Sequence, residues 1–236
     1  MGKATNIKAL ENQFRNKSRS KKIQRETVVY FLIVCEGAKT EPNYFKSFPK
    51  QIGKVVYDIQ FDGGGINTMG VVNKAIEIRD NTKQKYDRVW AVFDRDSFKP
   101  NVFNSAILKA KAQGIECAWS NEAFELWYLL HFQNRVTAMD RAQYQKAIED
   151  AVNIKMGKGN KKYKYEKNVT NTYDILRKYG NQELAIRYAK SLDNNSIGEQ
   201  FANYNPNTQV YKLVEELIGK STILNEEIKI NMEYGR

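Results

Sequence analysis

The sequence predicts an α/β protein: a mostly parallel sheet flanked by helices, with a helical C-terminal half. Three observations carry this. Residues 28–132 alternate between strand-like and helix-like patterns in the order βαβαβαβα, as parallel strands joined by crossover helices do. The first strand pattern, Val28–Cys35, is a continuous apolar run, the signature of a strand buried on both faces. Beyond residue 132 only helical periodicity recurs.

Each element follows from local signals. Thr40-Glu41-Pro42 predicts a helix start, with Thr40 as the cap and Pro42 in the first turn. Val55–Phe61 alternates and reads as the second strand, broken by Asp62-Gly63-Gly64-Gly65. A helix follows from Thr68 to about Thr82, with Met69, Val72, Ala75 and Ile76 on one face. Arg88–Asp94 is the third strand. Asn101–Gln113 is a helix stopped by Gly114. Ile115–Trp119 is the fourth strand, and Ser120 or Asn121 caps an apolar helix running to about Phe132. Helices are then expected over Asp140–Ile154, Val169–Tyr179, Gln182–Leu192 and Thr208–Ile218, with loops at Gly157–Lys164 and Asn203–Asn207. The expected organisation is a basic flexible arm (1–25), an α/β core (26–135) and a helical region packed on or beside it (136–236).

Composition removes several classes. The chain has 236 residues, long enough for one large or two small domains. Its longest apolar run falls far short of the roughly 20 residues that span a bilayer, so no membrane partner is expected. The basic N-terminus lacks an apolar segment close behind it, and a cytoplasmic protein is expected. Two cysteines, Cys35 and Cys117, and one histidine, His131, exclude a disulfide framework and a four-ligand zinc site. Acid–base work in any enzyme of this composition falls to carboxylates, lysines or a hard metal ion.

The net charge is +11 and it is clustered. Residues 1–25 hold eight Lys/Arg against Glu11 alone, and Lys155–Lys167 holds six lysines against Glu166. Clustered cation of this kind points to a polyanionic partner, nucleic acid first. Tyr163 and Tyr165 interleave with Lys161, Lys162, Lys164 and Lys167, a mixture that suits base stacking beside phosphate contacts, or a solvated loop.

The chemistry lies where the strands end, because open parallel sheets bind ligands at the carboxyl ends of their strands. Strand one runs into Glu36-Gly37, and strand three into Asp94-Arg95-Asp96. Carboxylates gathered at one rim repel unless a cation sits among them, and hard oxygen ligands imply Mg²⁺ or Mn²⁺. Asp94 and Asp96 can both point at one ion if the chain turns there; Glu36 joins them if strands one and three are neighbours. Gly37 allows the backbone close to a phosphate. Lys39 and Thr40 open the next helix, whose N-terminus favours anions. Gly63-Gly64-Gly65 is a further backbone-approach turn. Glu125 is a further candidate catalytic residue: it lies in an apolar helix, where an acid is costly unless paired or metal-bound, and pairing with an Arg or Lys such as Arg95 or Lys39 is the structural alternative. His131 reads as a packed core residue. Gly157–Lys162 has the wrong spacing for a phosphate-binding Walker loop, so any ATP-driven step belongs to another chain.

Four segments carry a family resemblance: IVCEGAKTEPNYF (33–45), VFDRDSF (92–98), SNEAFELWYLLHF (120–132) and NPNTQVYKLVEEL (205–217). Glu-Gly after the first strand with Asp-x-Asp after the third resembles the TOPRIM arrangement of topoisomerases, primases and OLD-type nucleases. The fuller wording resembles the RloB family of TOPRIM-like proteins found in restriction-modification and anti-phage loci. The resemblance implies a TOPRIM-like core. It implies a Mg²⁺ (or Mn²⁺) site of Glu36, Asp94 and Asp96, with Glu36 as general acid or base or as a further ligand. It implies a nuclease acting on DNA or RNA in anti-phage defence. The competing expectation is a non-catalytic nucleic-acid-binding or sensor subunit partnering an ATPase of a defence operon. The chain is too short for a topoisomerase's strand-gate domains, and no template-binding module of a primase is visible.

Overall fold

The computed structural model describes residues 26–64 and 67–234. The expected basic arm (1–25) and Gly65 lie outside the described residues. Six strands form one sheet in the order β2-β3-β1-β4-β5-β6. They are β1 (Thr27–Cys35), β2 (Gln51–Ile52), β3 (Val55–Gly63), β4 (Arg88–Asp94), β5 (Glu116–Asn121) and β6 (Asn207–Thr208). The four longer strands run parallel, and the two-residue edges β2 and β6 pair antiparallel.

The α/β expectation therefore holds, and side-chain alternation explains how the layers assemble. On β1, Val29, Phe31, Ile33 and Cys35 enter one buried cluster while Leu32 and Val34 enter the other. The second cluster is completed by α2 (Thr68–Asn81) and α3 (Pro100–Ala112), through Val71, Val72, Phe103 and Ile107. The first takes α1 (Thr40–Lys46), α4 (Glu125–Leu130), α5 (Arg141–Met156), α6 (Thr172–Tyr179), α7 (Gln182–Asn194), α8 (Val210–Leu217) and α9 (Thr222–Tyr234). The helices that follow residue 132 thus share one face of the sheet with α1 and α4.

Several local readings are corrected. Ser120 and Asn121 do not cap a helix: they extend β5. The Ser120 hydroxyl is 2.9 Å from Thr208 Oγ1, and Asn121 Nδ2 donates to the Ala202 and Tyr204 carbonyls. These long-range partners outcompete a local cap, so α4 starts later and ends at Leu130. The Asn203–Asn207 loop contains the start of β6, and Thr208 belongs to that strand rather than to a helix. Strand β3 continues through Asp62 and Gly63, because both stay in register with Val34 and Cys35 of β1. Helix α9 and the short β2 were not anticipated.

Candidate acidic site at the sheet's switch point

Chain order reverses between β1 and β4: β3 returns on one side of β1 and β4 on the other. A crevice opens at such a point, outside the carboxyl ends of the strands. Glu36 follows β1 and Asp94 ends β4, so the two predicted acids face this crevice from neighbouring strands. The Glu36 amide donates to the Val92 carbonyl at 2.9 Å, continuing the ladder past the strand end. Glu36 Oε2 in turn accepts from the Asp94 amide at 3.1 Å.

The turn required of Asp94 and Asp96 is present. Asp96 adopts a left-handed backbone conformation with φ 45°, uncommon for a residue with a side chain though better tolerated by Asp and Asn. Its amide donates to the Glu122 carbonyl, and the Arg95 amide to the Ser120 carbonyl. The reversal brings both aspartates onto one cation, the Arg141 guanidinium: Nη2 is 3.0 Å from Asp94 Oδ2 and 2.6 Å from Asp96 Oδ1. Arg141 Nε lies 3.6 Å from Glu125 Oε2. Arg141 opens α5, whose start is fixed by an Asp140–Gln143 capping box.

Glu36, Gly37, Asp94, Asp96, Arg141 and Lys167 are among the residues lining an open cavity of about 340 Å³. Glu41 also lines it. It is buried, and its Oε2 has no hydrogen-bond partner among the described residues. Burial pushes the Glu36 carboxyl up to about 7. Burial, then Glu41 and Glu125, hold the Asp94 carboxyl well above the usual range. Burial raises Glu41 as well, with Glu125 adding to the shift. Burial opposes the Arg141 charge, but Asp94, Glu125 and Asp96 more than offset it. The pocket is a crowded set of carboxyls sharing one guanidinium.

Glu125 is 2% exposed, and neither expected partner holds it. It faces Arg141, and its Oε1 accepts from Gln145 Nε2 at 3.0 Å and the Tyr165 hydroxyl at 3.2 Å. Arg95 instead points at Asn121 Oδ1. Tyr165 is buried behind the pocket and is not a base-stacking surface; Tyr163 is half-buried, its backbone paired with the Asn153 side chain. Between them the lysines face out: Lys161, Lys162 and Lys164 are exposed and do not line the cavity, whereas Lys167 does. Thr40 is inside α1 and does not cap it. Its hydroxyl donates to Asn168 Oδ1, tying the end of the lysine loop to α1, while Lys39 is exposed outside the cavity. His131 is a packed core residue, with Nδ1 3.0 Å from the Trp127 carbonyl.

Arg141 and Glu41 were missed by the sequence reading. Glu41 sits in a quoted motif, four residues past Gly37, and this proximity to the strand end was its available signal. Arg141 had none, because an arginine at a helix start reads as surface.

Among the described residues, no three acidic, imidazole or thiol groups stand ready around a metal position. The donor set nevertheless suits a hard cation. It is all oxygen, and Asp94 Oδ1 at the cavity wall is buried with no partner among the described residues. No helix among the described residues is long and apolar enough to cross a membrane.

Fold and site together define an α/β protein with an acidic cluster at the switch point of a parallel sheet. The family described as RloB-like protein matches residues 31–217, and the chain belongs to that family. Comparison with curated proteins and with solved structures returned no match.

Proposed function

We propose that this protein is a divalent-metal-dependent nuclease of the TOPRIM type, cleaving phosphodiester bonds in DNA or RNA in anti-phage defence. The observation that carries the reading is the convergence of Glu36, Asp94 and Asp96 at one cavity, from β1 and β4 at the switch point. Neighbouring parallel strands have no structural need for acids there, and their mutual repulsion is costly without a cation.

Asp94 and Asp96 would hold Mg²⁺ or Mn²⁺, with Glu36 beside them. The ion would supply charge neutralisation at the reacting phosphate and an activated water. Glu36 fits proton transfer: its Oε2 is engaged by the Asp94 amide, which leaves its other oxygen to exchange a proton. Gly37 keeps the rim open. A Cβ built there would fall 2.2 Å from Glu41 Oε2. Lys167 at the cavity and Lys161, Lys162 and Lys164 outside it offer a cationic track for the phosphate backbone.

A second reading is a nucleic-acid-binding or sensor subunit working with an ATPase. It is favoured by one observation: Arg141 already pairs with both Asp94 and Asp96. The deciding experiment titrates Mg²⁺ and Mn²⁺ into wild type and the D94N/D96N variant, then assays single- and double-stranded DNA and RNA. The nuclease reading expects binding and cleavage in wild type alone. Absence of metal binding, even with nucleic acid present, would overturn it in favour of the subunit.

A further inference from the structure

We propose that Arg141 is an exchangeable internal counter-ion, which holds Asp94 and Asp96 in the metal-free protein and must withdraw for a divalent cation to enter. The proposal rests on reading the acidic pocket as a metal site, and adds how access to that site is controlled.

Three observations support exchange over a permanent ion pair. First, the pairing is incomplete on both sides. Asp94 is 6% exposed, yet among the described residues its Oδ1 has no partner and Arg141 Nε makes no hydrogen bond. Buried polar atoms left unpaired are costly. A small hard cation takes six or more oxygen ligands, so it would use the oxygen that the guanidinium leaves idle.

Second, nothing in α5 itself favours an arginine at that position. Arg141 is the first residue of a 16-residue helix, where the positive end of the helix dipole repels cations. The carboxylates alone hold it there. The helix start is secured separately, by Asp140 accepting from the Gln143 amide while the Gln143 side chain accepts from the Asp140 amide. Withdrawal of the Arg141 side chain therefore leaves α5 capped.

Third, the route out exists. Arg141 lines the open cavity, and its side chain is 28% exposed. Withdrawal would carry the guanidinium from the cavity wall into the open cavity. The ion pair occupies both aspartates when no ion is bound, and the ion and the arginine compete for them.

Competition has a measurable sign. Mg²⁺ is titrated calorimetrically into wild type, R141Q, R141K and D94N/D96N, and thermal unfolding is followed with and without Mg²⁺. Removing a competitor tightens metal binding, so R141Q should bind Mg²⁺ on the order of tenfold more tightly than wild type. R141Q should be less stable than wild type without metal and show the larger Mg²⁺-induced rise in Tm. R141K, with one compact ammonium in place of the forked guanidinium, should fall between them. If R141Q does not fold even with Mg²⁺, the comparison of R141K with wild type decides: tighter binding supports the exchange and equal binding overturns it. Equal or weaker binding by folded R141Q, with D94N/D96N still abolishing it, would overturn the exchange and leave the metal site standing. No binding by wild type, R141Q or R141K, with or without an oligonucleotide, would overturn both.

Discussion

The Asp94 amide donates to Glu36 Oε2 at 3.1 Å, so the last residue of β4 fixes the carboxylate that follows β1. The bond spans the switch point of the sheet. It is made by backbone on one side, so replacing the Asp94 side chain does not remove it. Glu36 and Asp94 can therefore be dissected separately, one through its titration and the other through its side-chain ion pair with Arg141.

Glu36 gives a pH dependence with a definite sign. Burial raises its carboxyl from 4.5 to about 7; the Asp94 amide and Arg141 act against the shift, while Asp96 and Glu41 add to it. The folded value exceeds the unfolded one. Its contribution to stability is complete below about pH 4.5 and is lost as pH rises through about 7. Between about pH 5 and pH 8 the stability of wild type measured relative to E36Q should decline as pH rises, whatever the other titrating groups contribute to both. An identical trend in E36Q would assign the effect to other groups.

Two glycines beside the site should differ in their tolerance of a side chain. A Cβ at Gly63 would lie 2.7 Å from the Gly37 carbonyl, which is backbone and cannot give way cheaply. G63A should cost about 1–3 kcal/mol by overpacking. A Cβ at Gly37 meets the far end of the Glu41 side chain, which can swing aside. G37A should be milder in denaturant unfolding, because a side-chain end rather than backbone has to give way. Equal unfolding costs for the two variants would contradict this ordering.

What was legible in the sequence was whatever local pattern dictates. Strand β4 lies at Arg88–Asp94 as its apolar run and flanks imply, and Glu36, Asp94 and Asp96 stand at strand ends because parallel sheets put their carboxyl ends on one rim. What was not legible depends on partners distant in the chain. Ser120 and Asn121 look like caps until Thr208, Ala202 and Tyr204 arrive. Tyr165 looks like a stacking residue until Glu125, 40 positions earlier, accepts its hydroxyl. Arg141 looks like surface until the turn at Asp96 brings two aspartates to it. Periodicity reports which face is apolar, and says nothing of which charges meet.

The lysine loop should act through charge alone. Lys161, Lys162 and Lys164 are exposed and outside the cavity. K161A/K162A/K164A should weaken binding to oligonucleotides of any sequence. It should also reduce the slope of log affinity against log salt by up to about three, near one per lost phosphate contact. Mg²⁺ binding at the acidic pocket should be unchanged, because those side chains do not reach it. Loss of metal binding in this variant would mean that the loop supports the pocket structurally.

His131 should give the opposite pH signature to Glu36. Burial lowers its pKa from 6.5 to about 4, against the Trp127 and Tyr128 backbone groups that raise it. The folded protein holds the ring neutral where the unfolded chain would protonate it. Its contribution is therefore fully present above about pH 6.5 and declines as pH falls toward 4. H131N should lose about 1–3 kcal/mol overall, for the lost packing and the lost bond to the Trp127 carbonyl. Its stability should nevertheless fall less steeply than that of wild type between pH 6.5 and 4. The Glu36 and His131 contributions oppose each other over part of this range, so wild type alone can look pH-insensitive. Unfolding midpoints for E36Q, H131N and the double variant should resolve two slopes of opposite sign that add, because additivity is expected of groups that share no partner. If H131N keeps the wild-type acid limb, the ring is protonated in the folded protein and is not the neutral core residue that its burial implies.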